Sequence, residues 1–307
     1  MSNLPRTARK KIANGIYHII CNSISDTNLF RDQEDKERYL ETLHRYKQQY
    51  GFEIYSLTLM DTHVHILLDT RGADISAIMK SINISYVQYY NRRHGRKGGL
   101  FAGRFKSILI NEQSHLYEAS LYIHRNSKDL PKWKKCIEKY PYSSLGIFLG
   151  LREDTRNLIN VDYIMRLFGG NINIARKIYA KKIQLDERIK YELEYLLIED
   201  NKAEYRSERI VYNRNITPDI IVEIICKHTN IDAKYLFTKN NSEGNKLRAI
   251  LVMLLRKYSG YNLREICEFL GNISQPTASY LSTHGLKYIN NTEYADIIKE
   301  IKEKCSH

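Results

Sequence analysis

Two histidines separated by one residue, His63 and His65, lie inside the run Asp61-Thr62-His63-Val64-His65-Ile66-Leu67-Leu68, which reads as a β-strand. Side chains alternate faces along a strand, so both imidazoles point one way and Val64 points the other. Two imidazoles on one rigid face make half of a divalent-metal site. Downstream, Ser120-Leu121-Tyr122-Ile123-His124-Arg125-Asn126 follows Ser114, a candidate N-cap, and lacks Gly and Pro, so it reads as a helix. Residues four apart on a helix share a face, which pairs Tyr122 with Asn126. Tyr122 then offers a phenolic nucleophile, and Asn126 an oxygen ligand to a metal held by His63 and His65. Tyr117 lies five residues earlier, roughly 140° around a helix that advances ~100° per residue, and is expected to pack or face solvent. His124 fails as a third ligand by the same test. Mixed imidazole and amide-oxygen ligation suits Mg²⁺ or Mn²⁺ better than structural zinc.

The elements that must position these groups are legible in outline. Ile16 to Cys21 alternates like a strand. Asp32 reads as the cap of a helix with Tyr39, Leu43, Tyr46 and Tyr50 along one face. Phe52 to Met60 and His63 to Asp69 read as two further strands. Asp74 caps a second helix with Ile75, Ile78, Met79, Ile82 and Tyr86 on its inner side. Gly98 and Gly99 break the chain before a strand near Arg104 to Ile110, and the tyrosine helix follows. Strand-helix-strand-strand-helix-strand-helix predicts an α+β fold, an antiparallel sheet with helices packed on it, in the ferredoxin-like or RRM-like manner.

These motifs, in this order, resemble the HUH single-tyrosine transposases, and among them the REP-associated tyrosine transposases. The resemblance is carried by Gly15-Ile16-Tyr17-His18-Ile19-Ile20, Met60-Asp61-Thr62-His63-Val64-His65-Ile66-Leu67-Leu68, the basic strand Gly103-Arg104-Phe105-Lys106-Ser107-Ile108-Leu109, and Tyr122-Ile123-His124-Arg125-Asn126. It covers about the first half of the chain. The family usually continues the tyrosine helix as Asn-Pro, whereas here Ser127 follows Asn126. The resemblance implies metal-dependent nicking and rejoining of single-stranded or hairpin DNA through a 5′-phosphotyrosine on Tyr122, as in DNA transposition. Arg104 and Lys106 are expected to hold flanking phosphates. A rolling-circle replication initiator or relaxase is the nearest rival, but its tyrosines share a helix face, and Tyr117 and Tyr122 are out of phase. A metal-dependent amidohydrolase would need a larger barrel with further ligands at its strand ends. A non-catalytic DNA-binding regulator is the third reading.

The 307 residues suit two domains, and 43% apolar content is enough to build cores. A net charge of +13 points to a polyanionic partner. Arg92, Arg93, Arg96, Lys97, Arg104 and Lys106 lie between the histidines and the tyrosine, and Lys128, Lys132, Lys134 and Lys135 follow it. Five scattered cysteines without paired spacing argue against a zinc ribbon or a disulfide framework. No apolar run of membrane-spanning length is present, so a cytoplasmic protein with no membrane partner is expected, as monomer or homodimer.

The expected organisation is a catalytic domain over 1–130, a helical extension over 131–185, a charged helical connector over 186–215, a DNA-binding domain over 216–290 and a tail over 291–307. Thr217-Pro218 reads as an N-cap with proline at the first helical position. Asn262 to Gly271 reads as a short helix with a glycine turn, and Ser274 caps a helix through Leu281. This is the pattern of a helix-turn-helix, and it resembles the C-terminal DNA-binding domain of the replication initiator DnaA. The resemblance implies that duplex DNA meets Gln275, Thr277 and Ser279 at base edges and Lys246, Arg248 and Lys287 at phosphates.

Overall fold

Strands β1 (Ile16–Asn22), β2 (Glu53–Leu59), β3 (His63–Asp69) and β4 (Lys106–Ile110) form one antiparallel sheet in the order β2-β3-β1-β4. This is a computed structural model, and it describes residues 12, 14–24, 27–168, 171–184, 214, 216–238, 242–289 and 292–305. Helix α1 (Gln33–Tyr50) follows β1, α2 (Ile75–Arg93) follows β3, and the tyrosine helix α3 (Gln113–Arg125) follows β4. The β-α-β-β-α-β order is the ferredoxin-like arrangement expected from the sequence.

Local chemistry sets the helix starts. Asp32 Oδ1 accepts from the Asp35 amide at 3.1 Å and Asp74 Oδ1 from the Ser76 amide at 2.7 Å, each satisfying an amide that the first turn leaves orphaned. The cap of α3 is a correction: the helix begins after Glu112, in extended backbone, and not after Ser114, whose hydroxyl instead donates to Glu112 at 3.1 Å. The start of α1 and the end of α2 are tied by Arg93, which donates to Asp32 and Glu34 at 2.8 Å and to Asp35 at 2.5 Å. Asp35 is fully buried, so its carboxylate depends on Arg93 and on His94, whose Nε2 lies at 3.0 Å.

Register sorts the sheet into two faces. Ile20 lies opposite His65 on β3 and opposite Lys106 on β4, so His18, Ile20, His63, His65, Lys106 and Ile108 share one face. The other face carries Tyr17, Ile19, Cys21, Val64, Ile66 and Leu68, all buried. Rings from α1 and α2 serve this side: Tyr39 lies beside Cys21 and packs edge-on against Phe30 and Tyr86.

The segment after α3, expected as a helical extension, is a set of short elements whose connecting stretches seal the free edge of β2. The Ser144 amide donates to the Leu57 carbonyl at 2.8 Å, the Leu59 amide to Tyr142 at 2.9 Å, and the Asn160 amide to Ile54 at 2.8 Å. Helices α4 (Leu145–Phe148), α5 (Val161–Met165) and α6 (Ile172–Gln184) complete this part.

The chain divides into two units, one drawn from residues 1–44, 53–70 and 74–208, the other from 45–52, 71–73 and 209–307. The expected connector over 186–215 lies, except for Arg214, outside the described residues. The second unit contains α7 (Pro218–Thr229), α8 (Lys234–Phe237), α9 (Ser242–Tyr258), α10 (Leu263–Leu270), α11 (Gln275–Ile289) and α12 (Ala295–Cys305). Helix α10 opens on a capping box between Asn262 and Glu265 and closes on Gly271 at φ 71°, a left-handed cap that favours glycine. The stretch expected as a tail, 291–307, is a correction. Ile297, Ile301 and Cys305 of α12 are buried in the same core as Ile221, Ile225, Leu251 and Leu255. No helix among the described residues is long and apolar enough to cross a membrane.

Helices α9 and α11 cross where a Cβ built on Gly285 would lie 2.1 Å from the Ala249 carbonyl oxygen. Backbone cannot yield there without parting the helices. Gly285→Ala is therefore expected to destabilise the second unit by about 1–3 kcal/mol or more, the usual cost of overpacking. Urea unfolding followed by far-ultraviolet circular dichroism measures this, and an unchanged midpoint would contradict the close crossing.

Candidate active site on the histidine face

His65 is buried on β3, and His63, at the exposed end of the strand, is half-buried. Their rings lie 5.0 Å apart, nearly perpendicular. Nδ1 of His65 lies 2.9 Å from Nε2 of His18 on the neighbouring strand, and Nδ1 of His63 lies 3.1 Å from the Thr62 hydroxyl. In both rings Nδ1 is the nitrogen engaged in the hydrogen bond, and Nε2 is the other donor atom. Burial holds His65 well below the usual histidine range, with the neighbouring His18 and His63 adding to the effect. Burial also lowers His63, against the pull of the Asp129 and Asp61 carboxylates. Both rings are thus neutral near pH 7, the state in which imidazole can donate a lone pair.

The tyrosine helix crosses this face. The half-buried Tyr122 ring lies 5.6 Å from the His18 ring and 5.7 Å from the His65 ring, edge-on to both. Tyr117 is turned elsewhere, against Phe168 at 5.5 Å and under the Lys182 ammonium at 5.4 Å. Asn126 opens a 3-10 turn, Asn126–Asp129, that continues α3 where the sequence has serine in place of proline. Its amide nitrogen donates to the Tyr122 carbonyl at 2.8 Å, a bond that does not engage Oδ1.

Beside the buried Leu116, Ala119, Leu121 and Ile123, a buried polar chain on the opposite side from Tyr122 helps fix the helix phase. Nδ1 of His124 lies 2.7 Å from the Tyr179 hydroxyl and Nε2 lies 2.7 Å from Ser144 Oγ. Ser120 Oγ reaches the same Tyr179 hydroxyl at 2.5 Å, and Ser144 Oγ accepts from the Leu57 amide at 2.9 Å. The wholly buried Arg125 donates to the carbonyl of Lys182 at 2.5 Å, satisfying the last turn of α6. His124 is a structural residue, as its phase on the helix predicts.

Among the described residues no three His, Cys, Asp or Glu side chains converge to hold a metal. The donor set considered is two neutral imidazoles and the side chain of Asn126, whose Nδ2 is bonded to the Tyr122 carbonyl. Such nitrogen and oxygen donors fit a divalent cation that keeps open positions.

The proposed phosphate contacts divide. Arg104 and Lys106 are exposed, and Lys106 lies on the histidine face of β4, an edge strand. Gln275, Thr277 and Ser279 are exposed in the first turns of α11, and Lys246 is exposed on α9. Arg248 is a correction. It is 3% exposed, and its guanidinium donates to Asn272 Oδ1 at 2.7 Å and to the Thr238 carbonyl at 3.2 Å. That bracing holds the turn between α10 and α11 and leaves it no reach to a phosphate. The residue that sequence reasoning passed over is His18. It stood in the opening motif without a role, because its place beside His65 depends on the β1-β3 register.

The profile of a protein family described as "Transposase IS200 like" matches residues 11–126, the stretch that holds His18, His63, His65, Tyr122 and Asn126. The solved structure of a REP-associated tyrosine transposase bound to a REP hairpin is similar over 55% of this chain and 93% of that one, with 19% identity and a TM-score of 0.41. Comparison with curated proteins finds no match.

Burial holds both His18 and His124 at a pKa of about 3. An unfolded histidine titrates near ~6.5, so below that pH the unfolded chain binds protons the folded one refuses. Stability is therefore full above about pH 6.5 and falls as the pH drops toward 3, by about 1.4 kcal/mol per pH unit for each histidine. Urea unfolding read through the fluorescence of Trp133, the one tryptophan, should fall in midpoint between pH 7 and pH 5. His124→Gln should flatten that dependence. A midpoint independent of pH in this range would mean that the histidines accept protons in place.

Proposed function

We propose that the N-terminal unit nicks and rejoins single-stranded DNA, with Tyr122 as the nucleophile. The observation that carries the reading is the Tyr122 ring set edge-on against His18 and His65, on the sheet face that also bears His63. The family match over 11–126 supports a DNA transposase activity for this part of the chain. The phenolic oxygen attacks a backbone phosphorus, the bond to the 3′ oxygen breaks, and that oxygen leaves as a 3′-hydroxyl after taking a proton. The new phosphotyrosine ester conserves the bond, so a second 3′-hydroxyl can reverse the step and exchange strands without ATP. Nε2 of His63, Nε2 of His65 and Oδ1 of Asn126 are the atoms that would hold Mg²⁺ or Mn²⁺. Such an ion supplies charge stabilisation at the phosphoryl oxygens. Lys106, on the same face, and Arg104, just before β4, are suited to holding phosphates on either side of the scissile bond.

Tyr122→Phe keeps the ring packing and removes only the attacking oxygen. Incubated with single-stranded hairpin DNA and Mn²⁺, it should bind yet form no covalent adduct in a denaturing gel. His63→Ala and His65→Ala should each lower adduct formation by about 100-fold or more, and Asn126→Ala by less, since water can replace one amide oxygen. An adduct mapped by mass spectrometry to Tyr117, or persisting in Tyr122→Phe, sinks the assignment.

For the second unit we propose duplex DNA binding through α11, supported by the exposed polar residues of its first turns and the braced turn before it. In the full chain carrying Tyr122→Phe, replacing Gln275 or Thr277 by Ala should cost about 1–3 kcal/mol of preference for the cognate duplex. Lys246→Ala should instead weaken all duplexes alike and reduce the salt dependence. Duplex affinity insensitive to all three substitutions rules α11 out as the reading element.

A further inference from the structure

Nε2 of His18 lies 2.9 Å from Nδ1 of His65, and both rings are buried. A neutral imidazole carries one N–H and one lone pair on its ring nitrogens, so this contact exists in only two forms. In one, Nδ1–H of His65 donates to the His18 lone pair, and Nε2 of His65 keeps its own lone pair. In the other, Nε2–H of His18 donates, and the His65 proton must sit on Nε2, where it blocks any ligand bond. Neutral histidine in water favours the proton on Nε2, so the useful form of His65 needs an acceptor held against Nδ1. Backbone pairing alone sets His18 Nε2 against that nitrogen, His18 lying opposite Leu67 and Ile20 opposite His65 on the same face, and His18 accepts there when its own proton sits on Nδ1.

We infer that His18 is a positioning residue that locks His65 in the tautomer protonated on Nδ1, and so reserves Nε2 of His65 as a donor atom. This deepens the metal-site reading above and rests on it for its purpose, though not for its geometry. His63 has a weaker version of the same device in the Thr62 hydroxyl, which is exposed and rotates. The buried ring of His18 cannot turn away so easily, because its edge is also packed against the Tyr122 ring. The contact therefore ties the tautomer of a ligand to the seat of the nucleophile.

The test uses the full chain labelled with ¹⁵N-histidine and free of metal. Long-range ¹H–¹⁵N correlation reads the tautomer of His65, whose signals are identified by their loss in His65→Gln. The wild type should have His65 protonated on Nδ1. His18→Phe, which removes the acceptor, should convert His65 to the Nε2-protonated form. His18→Gln, whose Oε1 can stand where Nε2 stood, should keep the wild-type tautomer. In calorimetric titration with Mn²⁺ alone, His18→Phe should bind 10–100-fold more weakly, with His18→Gln recovering most of the loss. A wild-type His65 protonated on Nε2 overturns the inference, as does a His65 tautomer unchanged in His18→Phe, or a measurable wild-type Mn²⁺ affinity that His18→Phe leaves unchanged. If His18→Phe does not fold, the wild-type tautomer and His18→Gln decide between the same outcomes. A correct tautomer that responds to His18 in a chain with no Mn²⁺ affinity upholds the lock and rejects the metal reading, so the two failures are distinct.

Discussion

The phase of the tyrosine helix is the constraint on which the candidate site depends. The buried apolar side chains of that helix, Leu116, Ala119, Leu121 and Ile123, orient it coarsely. The bonds of Ser120 and His124 to Tyr179, and of His124 to Ser144, fix the phase more narrowly, because hydrogen bonds are directional. Ser120 and His124 are four residues apart and share a side, so holding them turns Tyr122 toward the histidines. Because these groups are buried, breaking one bond leaves a polar atom without water, which makes the alternative phases costly. Ser144 extends the hold to β2 by accepting from the Leu57 amide. Helix α3, the β2 edge and helix α6 are thus joined through a single line of side chains.

The order of elements and the histidine pair were legible because they are encoded locally. Alternation in His63-Val64-His65 and the caps at Asp32 and Asp74 need only neighbouring residues to act. The features that were missed are non-local. His18 matters through a strand register, and that register is set by pairing between segments far apart in the chain. Arg248 reads as a phosphate ligand in one dimension, but Asn272 and Thr238 claim its guanidinium in three. The apolar residues of the last helix, Ile297, Ile301 and Cys305, are spaced a turn apart among lysines and glutamates, a thin signal in one dimension. A narrow stripe of that kind is enough to enter a core that other helices have already assembled.

Charge is used in two ways along the same chain. Arg93, Arg125 and Arg248 close structural accounts, with Asp32, Glu34 and Asp35, with the end of α6, and with the turn before α11. Lys106, Lys134, Lys135 and Lys246 are exposed. Guanidinium groups, with several donors in a rigid fork, suit the first task, and mobile ammonium groups suit contact with a polyanion. The net positive charge therefore overstates the surface open to nucleic acid, since several of its arginines are internal.

The sealing of β2 has a consequence for where this protein can be cut. The family match ends at Asn126, yet the amides and carbonyls along the outer side of β2 are paired by residues 142–144 and 160. A fragment trimmed to the matched stretch would retain every proposed catalytic group and expose a row of unpaired backbone next to the apolar side chains of Leu57 and Leu59. Such an edge recruits other strands, so the shortened chain would tend to self-associate into insoluble sheets. A fragment that keeps this edge covered runs at least to the end of α6, and its boundary is drawn by the need to hide a strand, not by the placement of His63, His65 and Tyr122.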